Sequence, residues 1–227
     1  MRNAIRALST VLIAAGVLLL MDAGLTLAWQ EPVSAFYAKM TQNALGGDLA
    51  ELEDAGPTPL EQRALKSLPD ERRKLAFLGR SLKQRLDGGE AAGRIKIPAI
   101  GANFVVLDGT SEAYLRKGPG FFPETPFPGS GGTTAIAGHR TTYGAPFNDI
   151  DDLDKGDTIV VEMPYAKFEY KVQQTRIVDP DAFWVTNRVG YERLVLSACH
   201  PLYSAAQRIV VFARQVRVEP RGASLDS

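Results

Sequence analysis

Cysteine is nearly absent: Cys199 is the one thiol in 227 residues. No disulfide can close within the chain, so the fold must rest on burial of an apolar core. An excess of charge of one sign is lacking too. Lys plus Arg and Asp plus Glu number 26 each, a balance that gives no general pull toward nucleic acid or an acidic surface. Histidine occurs only at His139 and His200, which restricts the choice of imidazole for any proton transfer. No internal repeat is evident, and the length allows one medium domain plus an anchoring or linking segment.

What is present begins with an apolar run. From Ala7 to Trp29 the only charged residue is Asp22, and roughly 23 helical residues at about 1.5 Å each span about 35 Å, enough for a bilayer core. Arg2 and Arg6 precede the run, so the positive-inside rule predicts a single-pass anchor with a cytoplasmic N-terminus and everything after Trp29 outside the cell. Trp29 is expected at the outer interface. Asp22 falls in the outer third, where a short carboxylate can approach headgroup water. A cleaved signal peptide is the competing reading, but "LTLAWQ" has no clean small-x-small cleavage site.

Residues 30–93 read as an extracytoplasmic helical stalk or linker. Val33, Phe36, Tyr37, Met40 and Ala44 recur at helical spacing, and "GGDLAELEDAGPTP" is expected to break that helix. A second helix is expected with Ser67 as its cap, Pro69 in its first turn, and Leu75, Leu78, Leu82 and Leu86 on one stripe. "DGGEAAG", Asp87 to Gly93, reads as a hinge.

From Arg94 the period changes to two. Ile95 and Ile97 alternate with Arg94 and Lys96, and Phe168, Tyr170 and Val172 alternate with Lys167, Glu169 and Lys171. Short β-branched runs at Phe104–Leu107, Ala135–Ala137, Ile159–Val161, Leu194–Leu196 and Ile209–Phe212 are separated by turn signals such as Asp108-Gly109 and Lys155-Gly156-Asp157. The pattern predicts an all-β fold over residues 94–220, a closed barrel of about eight strands, with 221–227 as a tail.

Two segments carry chemistry: "TTAIAGHRTTYGAPF", Thr133 to Phe147, and "LVLSACHPLYSAAQRIVVF", Leu194 to Phe212. In each an apolar strand ends at a polar residue, His139 in the first and Cys199 in the second, and Arg208 opens the strand that follows. Strand ends converging on one rim can fix a nucleophile, a base and a charge stabiliser on rigid elements. Adjacent strand residues face opposite ways, so His200 should turn away from a cleft containing Cys199 and act as a loop-shaping residue. Arg140 and Arg214 are the alternatives to Arg208.

The order of His139, then Cys199 after a "TLxTC"-like run, then Arg208 nine residues on, resembles the sortases, and "AGHRTTYGAPF", "LDKGD" and "CHPLYSAAQR" most resemble class E. The likeness covers roughly Arg94 to Val218. It implies a sortase-type barrel and a membrane-anchored cysteine transpeptidase that uses no cofactor and no metal. Cys199 would be the nucleophile, His139 the general acid and base, and Arg208 the stabiliser of the substrate carbonyl. Implied partners are secreted proteins bearing a C-terminal sorting signal of the Leu-Pro-x-Thr-Gly or Leu-Ala-x-Thr-Gly type. The implied acceptor is a peptidoglycan-precursor amine or a pilin lysine.

Two positions depart from the family pattern. Leu196-Ser197-Ala198 replaces Leu-x-Thr before the nucleophile, and Phe122 stands about where class E members carry tyrosine. "NDIDDLDKGD" invites a calcium reading, but its spacing is not an EF-hand and Asp at turns is ordinary. A cell-wall L,D-transpeptidase would place histidine just before its cysteine, and a papain-like peptidase would reverse the order found here. A non-catalytic anchored barrel used for binding is the remaining alternative.

Overall fold

The computed structural model describes residues 2–28 and 32–221. The expected interface position of Trp29, and residues 222–227 of the expected tail, lie outside them. The first helix, α1 (Arg2–Ala28), contains a stretch from Ile5 to Gly24 with mean hydropathy 2.0, long and apolar enough to cross a membrane.

Eight strands close a barrel: β1 (Ala91–Ile97), β2 (Ala102–Asp108), β3 (Gly120–Phe121), β4 (Thr133–Ala137), β5 (Thr158–Met163), β6 (Ala166–Val178), β7 (Arg193–His200) and β8 (Gln207–Pro220). Their order around the barrel is β1-β2-β3-β4-β7-β8-β6-β5. The period-two pattern sorts the faces. Ile95, Ile97, Val161, Phe168, Tyr170, Leu194, Leu196, Ile209 and Val211 share the interior cluster, and closure leaves no unpaired strand edge. On the outside of β4, β7 and β8 lies a smaller apolar patch of Ala135, Val195, Val210 and Phe212, capped by Val185 from the β6–β7 connection.

The helices before the barrel differ from the expected stalk. Helix α2 (Pro32–Ala55) runs straight through Gly46-Gly47, where a break was expected, and stops only before Gly56. Burial explains this: Leu45 and Leu49 pack with Val105 and Leu107 on the outside of β2, an apolar gain that exceeds the roughly 1 kcal/mol propensity cost of each glycine. Gln42 adds a direct tie, accepting from the Val105 amide at 2.6 Å and donating to the Lys117 carbonyl at 2.9 Å.

A further helix, α3 (Pro59–Ser67), was not expected. Thr58 and Glu61 form its reciprocal capping box, which the sequence carries as Thr-x-x-Glu. Helix α4 (Glu71–Arg85) starts from Asp70, whose side chain accepts from the Arg73 amide, rather than from Ser67. Its Leu75, Leu78 and Leu82 join Leu65 inside the main barrel cluster. The expected hinge also shifts: Ala91, Ala92 and Gly93 are buried residues of β1, so the barrel begins at Ala91 and not at Arg94.

Because α4 seals the barrel, Leu82→Ala is expected to destabilise the whole domain by about 2–5 kcal/mol. Thermal unfolding of the full chain in detergent tests this. A barrel transition that stays in place while only helical signal is lost would mean that α4 is an independent stalk.

Candidate active site

The site is built by register. Strands β4 and β7 pair in parallel, with Ala135 beside Val195 and Ala137 beside Ser197. The Gly138 amide extends the ladder to the Ser197 carbonyl at 3.1 Å. Two residues beyond the last pair are His139, just past the end of β4, and Cys199, still within β7. On the far side of β7, β8 pairs antiparallel and sets Arg208 directly opposite Cys199.

Alternation puts Cys199 and Arg208 on one face, with His139 two residues past the end of β4. Ala135, Val195, Val210 and Phe212 fill the outer patch, and Cys199 and Arg208 continue the rows of β7 and β8 toward the rim. Ala198 packs inside the barrel with Leu194 and Leu196, so the residue where the family pattern has threonine faces the core. His200 shares that opposite parity and bonds elsewhere.

His139 is partly buried. Its Nδ1 lies 3.3 Å from Thr142 Oγ1, while Nε2 is shut off from solvent and has no hydrogen-bond partner among the described residues. A buried nitrogen without a partner is costly in a structural role but suits a group that exchanges a proton with substrate. The ring packs on Tyr143, with centroids 5.0 Å apart. Tyr143 in turn lies under the Arg116 guanidinium, whose Cζ is 5.4 Å from the ring centroid. Arg116 is paired with Glu112 at 2.5 Å within the short helix α5 (Glu112–Leu115) and its C-cap. Burial lowers the His139 pKa from its ordinary value; Glu112 opposes this by favouring imidazolium, and Arg116 adds to the lowering.

Backbone geometry around the site is constrained. Gly138 is required because a Cβ there would come within 2.6 Å of the Phe147 ring. Tyr143 and Ala145, after His139, and Tyr203, after Cys199, hold φ of 53°, 39° and 63°, a region non-glycine residues enter only when packing imposes it.

Cys199 is partly exposed and is a free thiol. Arg208 Nη1 donates to the carbonyls of Ala205 and Gln207, both at 2.9 Å. Its Nε and Nη2 have no hydrogen bond among the described residues and remain available to an acceptor near Cys199. The alternative arginines are engaged elsewhere. Arg140 is 2% exposed and paired with Asp151, and Arg214 stacks 4.8 Å over the Tyr191 ring.

The register therefore sets Cys199 and Arg208 side by side and brings the end of β4, two residues before His139, to the same rim, while Arg140 and Arg214 are engaged in other contacts. Two features were missed from sequence: the Glu112–Arg116 pair that faces His139, and the network of Arg140. The i,i+4 spacing of Glu112 and Arg116 marks the first as a helical ion pair, but nothing local ties it to His139. In the acidic segment, Asp151 pairs with Arg140 and Asp157 Oδ2 accepts from the Asp154 amide at 2.8 Å. These are structural uses of the carboxylates.

Phe122 also borders the site. It packs on the outer apolar patch, its amide bonds to the Ala135 carbonyl, and its carbonyl lies 3.4 Å from Lys83 Nζ of α4. Lys83 reaches the Thr125 carbonyl at 2.6 Å as well, so α4 holds the segment that carries Phe122.

Known proteins resemble this chain in sequence and fold. Residues 95–216 match the sortase domain model. Among curated relatives, Sortase D of Bacillus subtilis strain 168 is 29% identical over 172 residues, covering 74% of this chain and 82% of the relative. Sortase A of Bacillus anthracis is 32% identical over 127 residues, covering 56% and 60%. The solved structure of sortase E from Streptomyces avermitilis superposes with a TM-score of 0.54 at 31% identity, covering 62% of this chain and 99% of that one. These relatives carry three different class letters, which leaves the class open. With more than half of its length matching the sortase domain, on an eight-stranded barrel of that type, the chain belongs to the sortase family of cysteine transpeptidases.

Proposed function

We propose that this sortase is a membrane-anchored transpeptidase in which Cys199 is the nucleophile, His139 the general acid and base, and Arg208 the carbonyl and oxyanion stabiliser. The observation that carries the reading is the common outer-face rim on which Cys199, Arg208 and the residue after Gly138 converge. The anchor is α1, with its N-terminus in the cytoplasm and the barrel outside.

The chemistry uses side chains alone. Cys199 Sγ, as thiolate, attacks the threonine carbonyl of a Leu-Pro-x-Thr-Gly or Leu-Ala-x-Thr-Gly sorting signal on a secreted protein. Arg208 stabilises the oxyanion through its uncommitted donors. The Thr–Gly C–N bond breaks as His139 gives its proton to the leaving amine, and a thioester remains on Cys199. An amine of a peptidoglycan precursor or a pilin lysine then attacks that carbonyl. The C–S bond breaks, the new amide forms, and His139 recovers a proton from the incoming nitrogen. Phe122, on the same outer face, is the candidate for contacting the residue that distinguishes the two signal types.

Mass spectrometry of the full chain with both peptide types and an amine should trap an acyl group on Cys199. Cys199→Ala should remove cleavage and transfer while the thermal unfolding midpoint holds, because thiol-to-methyl changes little volume. His139→Ala should cost about 10²–10⁴ in rate. Turnover near wild type in either variant would remove the assignment.

Arg208→Lys should lose about 10²–10³ in kcat, since a point ammonium cannot reproduce the planar fork. An unaltered kcat in this variant would refute its role.

Thiols ordinarily titrate about two units above imidazoles, so thiolate beside imidazolium is a minority form. The rate profile is then a bell that climbs with pH to the His139 pKa, levels beyond it and falls on the alkaline side as imidazolium is exhausted, and lowering the His139 pKa moves the acid shoulder down and lowers the plateau. Glu112→Gln removes the carboxylate that favours imidazolium, so its shoulder should move to lower pH with a lower plateau; Arg116→Met should do the reverse. Shifts of the opposite sign in kcat/KM profiles would exclude this protonation scheme.

A further inference from the structure

The proposed acid–base residue and the proposed nucleophile each have a neighbour in the chain, and those two neighbours are bonded to each other. Arg140 follows His139 and His200 follows Cys199, and Arg140 Nη1 lies 3.0 Å from His200 Nδ1. We propose that Arg140 and His200 form a positioning pair that clamps the His139 loop to the Cys199 strand and so sets the relation between acid and nucleophile. The proposal rests on the reading of Cys199 and His139 as the catalytic pair.

Burial and donor count make the clamp rigid. Arg140 is 2% exposed, and each part of its guanidinium fork is engaged. Nη2 meets Asp151 Oδ2 at 2.5 Å, Nε donates to the Asn148 carbonyl at 3.1 Å, and Nη1 reaches His200. The Asn148 side chain returns a bond from Nδ2 to the Arg140 carbonyl at 3.0 Å. Arginine has no acceptor, so His200 Nδ1 must accept and the ring carries its proton on Nε2.

The clamp reaches across a gap in the pairing. The β4–β7 ladder ends at Ala137 and Ser197, with one further backbone bond from Gly138. Beyond it, His139 and Cys199 have no strand pairing with each other, and the Arg140–His200 bond spans the two chains at that level. A misplacement of about 1 Å between reacting groups can cost about a hundredfold in rate, so this tie bears on the chemical step and not only on folding. The alternation that turns Cys199 outward turns His200 to the opposite side, where the buried Arg140 meets it, which makes the positioning pair the back of the catalytic one.

The test uses the full chain in detergent. His200→Ala should lower kcat about tenfold or more with KM within about twofold. His200→Asn, whose Oδ1 can accept from Arg140, should restore most of that rate. Arg140→Met should resemble His200→Ala where it folds, and the His200 series keeps the test open where it does not. An unchanged kcat in His200→Ala, a His200→Asn variant no better than His200→Ala, or a loss confined to KM would each overturn the proposal. A rate loss fully accounted for by unfolded protein in a thermal melt would overturn it too, by making the role one of stability. Failure of the underlying reading is separate: it shows as turnover that survives His139→Ala or Cys199→Ala, whatever the His200 series does.

Discussion

Parallel pairing of β4 with β7 is the constraint on which the site depends. In an antiparallel pair the two chains would leave at opposite rims; in a parallel pair both run out at the same one. His139 and Cys199 therefore emerge together although sixty positions separate them in sequence. Antiparallel β8 begins where β7 ends, so Arg208 arrives at that rim without a further element. A parallel pair needs a long crossover. Here the connection contains β5 and β6, which pass around the other side and close the barrel against β1 and β8. The rim that carries Cys199 and Arg208 and the closure of the fold are thus consequences of one pairing.

The helices before the barrel are part of this machinery rather than a spacer. Helix α4 contributes leucines to the interior and, through Lys83, holds the segment that carries Phe122 against the outer patch. Burial lowers the Lys83 pKa while Asp108 and Glu124 oppose that loss, and its ammonium also lies 4.9 Å over the Phe127 ring. Helix α2 covers β2 and touches the end of α5 through the Lys117 carbonyl. Ala38 of the same helix sits close to Gly144, one residue from the Tyr143 that packs on His139. The chain between the apolar N-terminal helix and the barrel is in this way mechanically connected to the site.

Much of this was legible in the sequence, for identifiable reasons. Period-two alternation marked β1 and β6, and short apolar runs marked β2, β4, β5, β7 and β8, because each has one face in the interior cluster. Strand parity alone separated His200 from Cys199. What was not legible depended on tertiary contacts. Strand β3 has only two residues and no period to read. Helix α2 continues through Gly46-Gly47 because of leucines buried against β2, which local propensity does not contain. Helix α3 was signalled by its Thr58–Glu61 capping box but hidden in a proline- and glycine-containing stretch. The contacts of Arg140 with His200 and of Tyr143 with Arg116 join segments tens of residues apart, and no spacing rule reaches that far.

The electrostatics of the site follow spatial and not sequential neighbours. Arg140 is next to His139 in the chain and is buried, a position from which an unpaired cation would oppose imidazolium strongly. Asp151 pairs with it, and its own pKa is lowered by hydrogen bonds and by the Arg140 charge against the upward push of burial. The charges that do bear on His139, Glu112 and Arg116, sit on the solvent side, act in opposite directions and are bound to each other. Their net influence is accordingly small, and desolvation remains the main force on the imidazole. On the proposed mechanism desolvation would have two effects at once: keeping water from the carbon of an acyl-enzyme, and making the protonated imidazole scarcer. On that mechanism, a rim dry enough to favour an amine over water as acceptor would be one in which the competent protonation state is thinly populated, and slow turnover would follow from that selectivity.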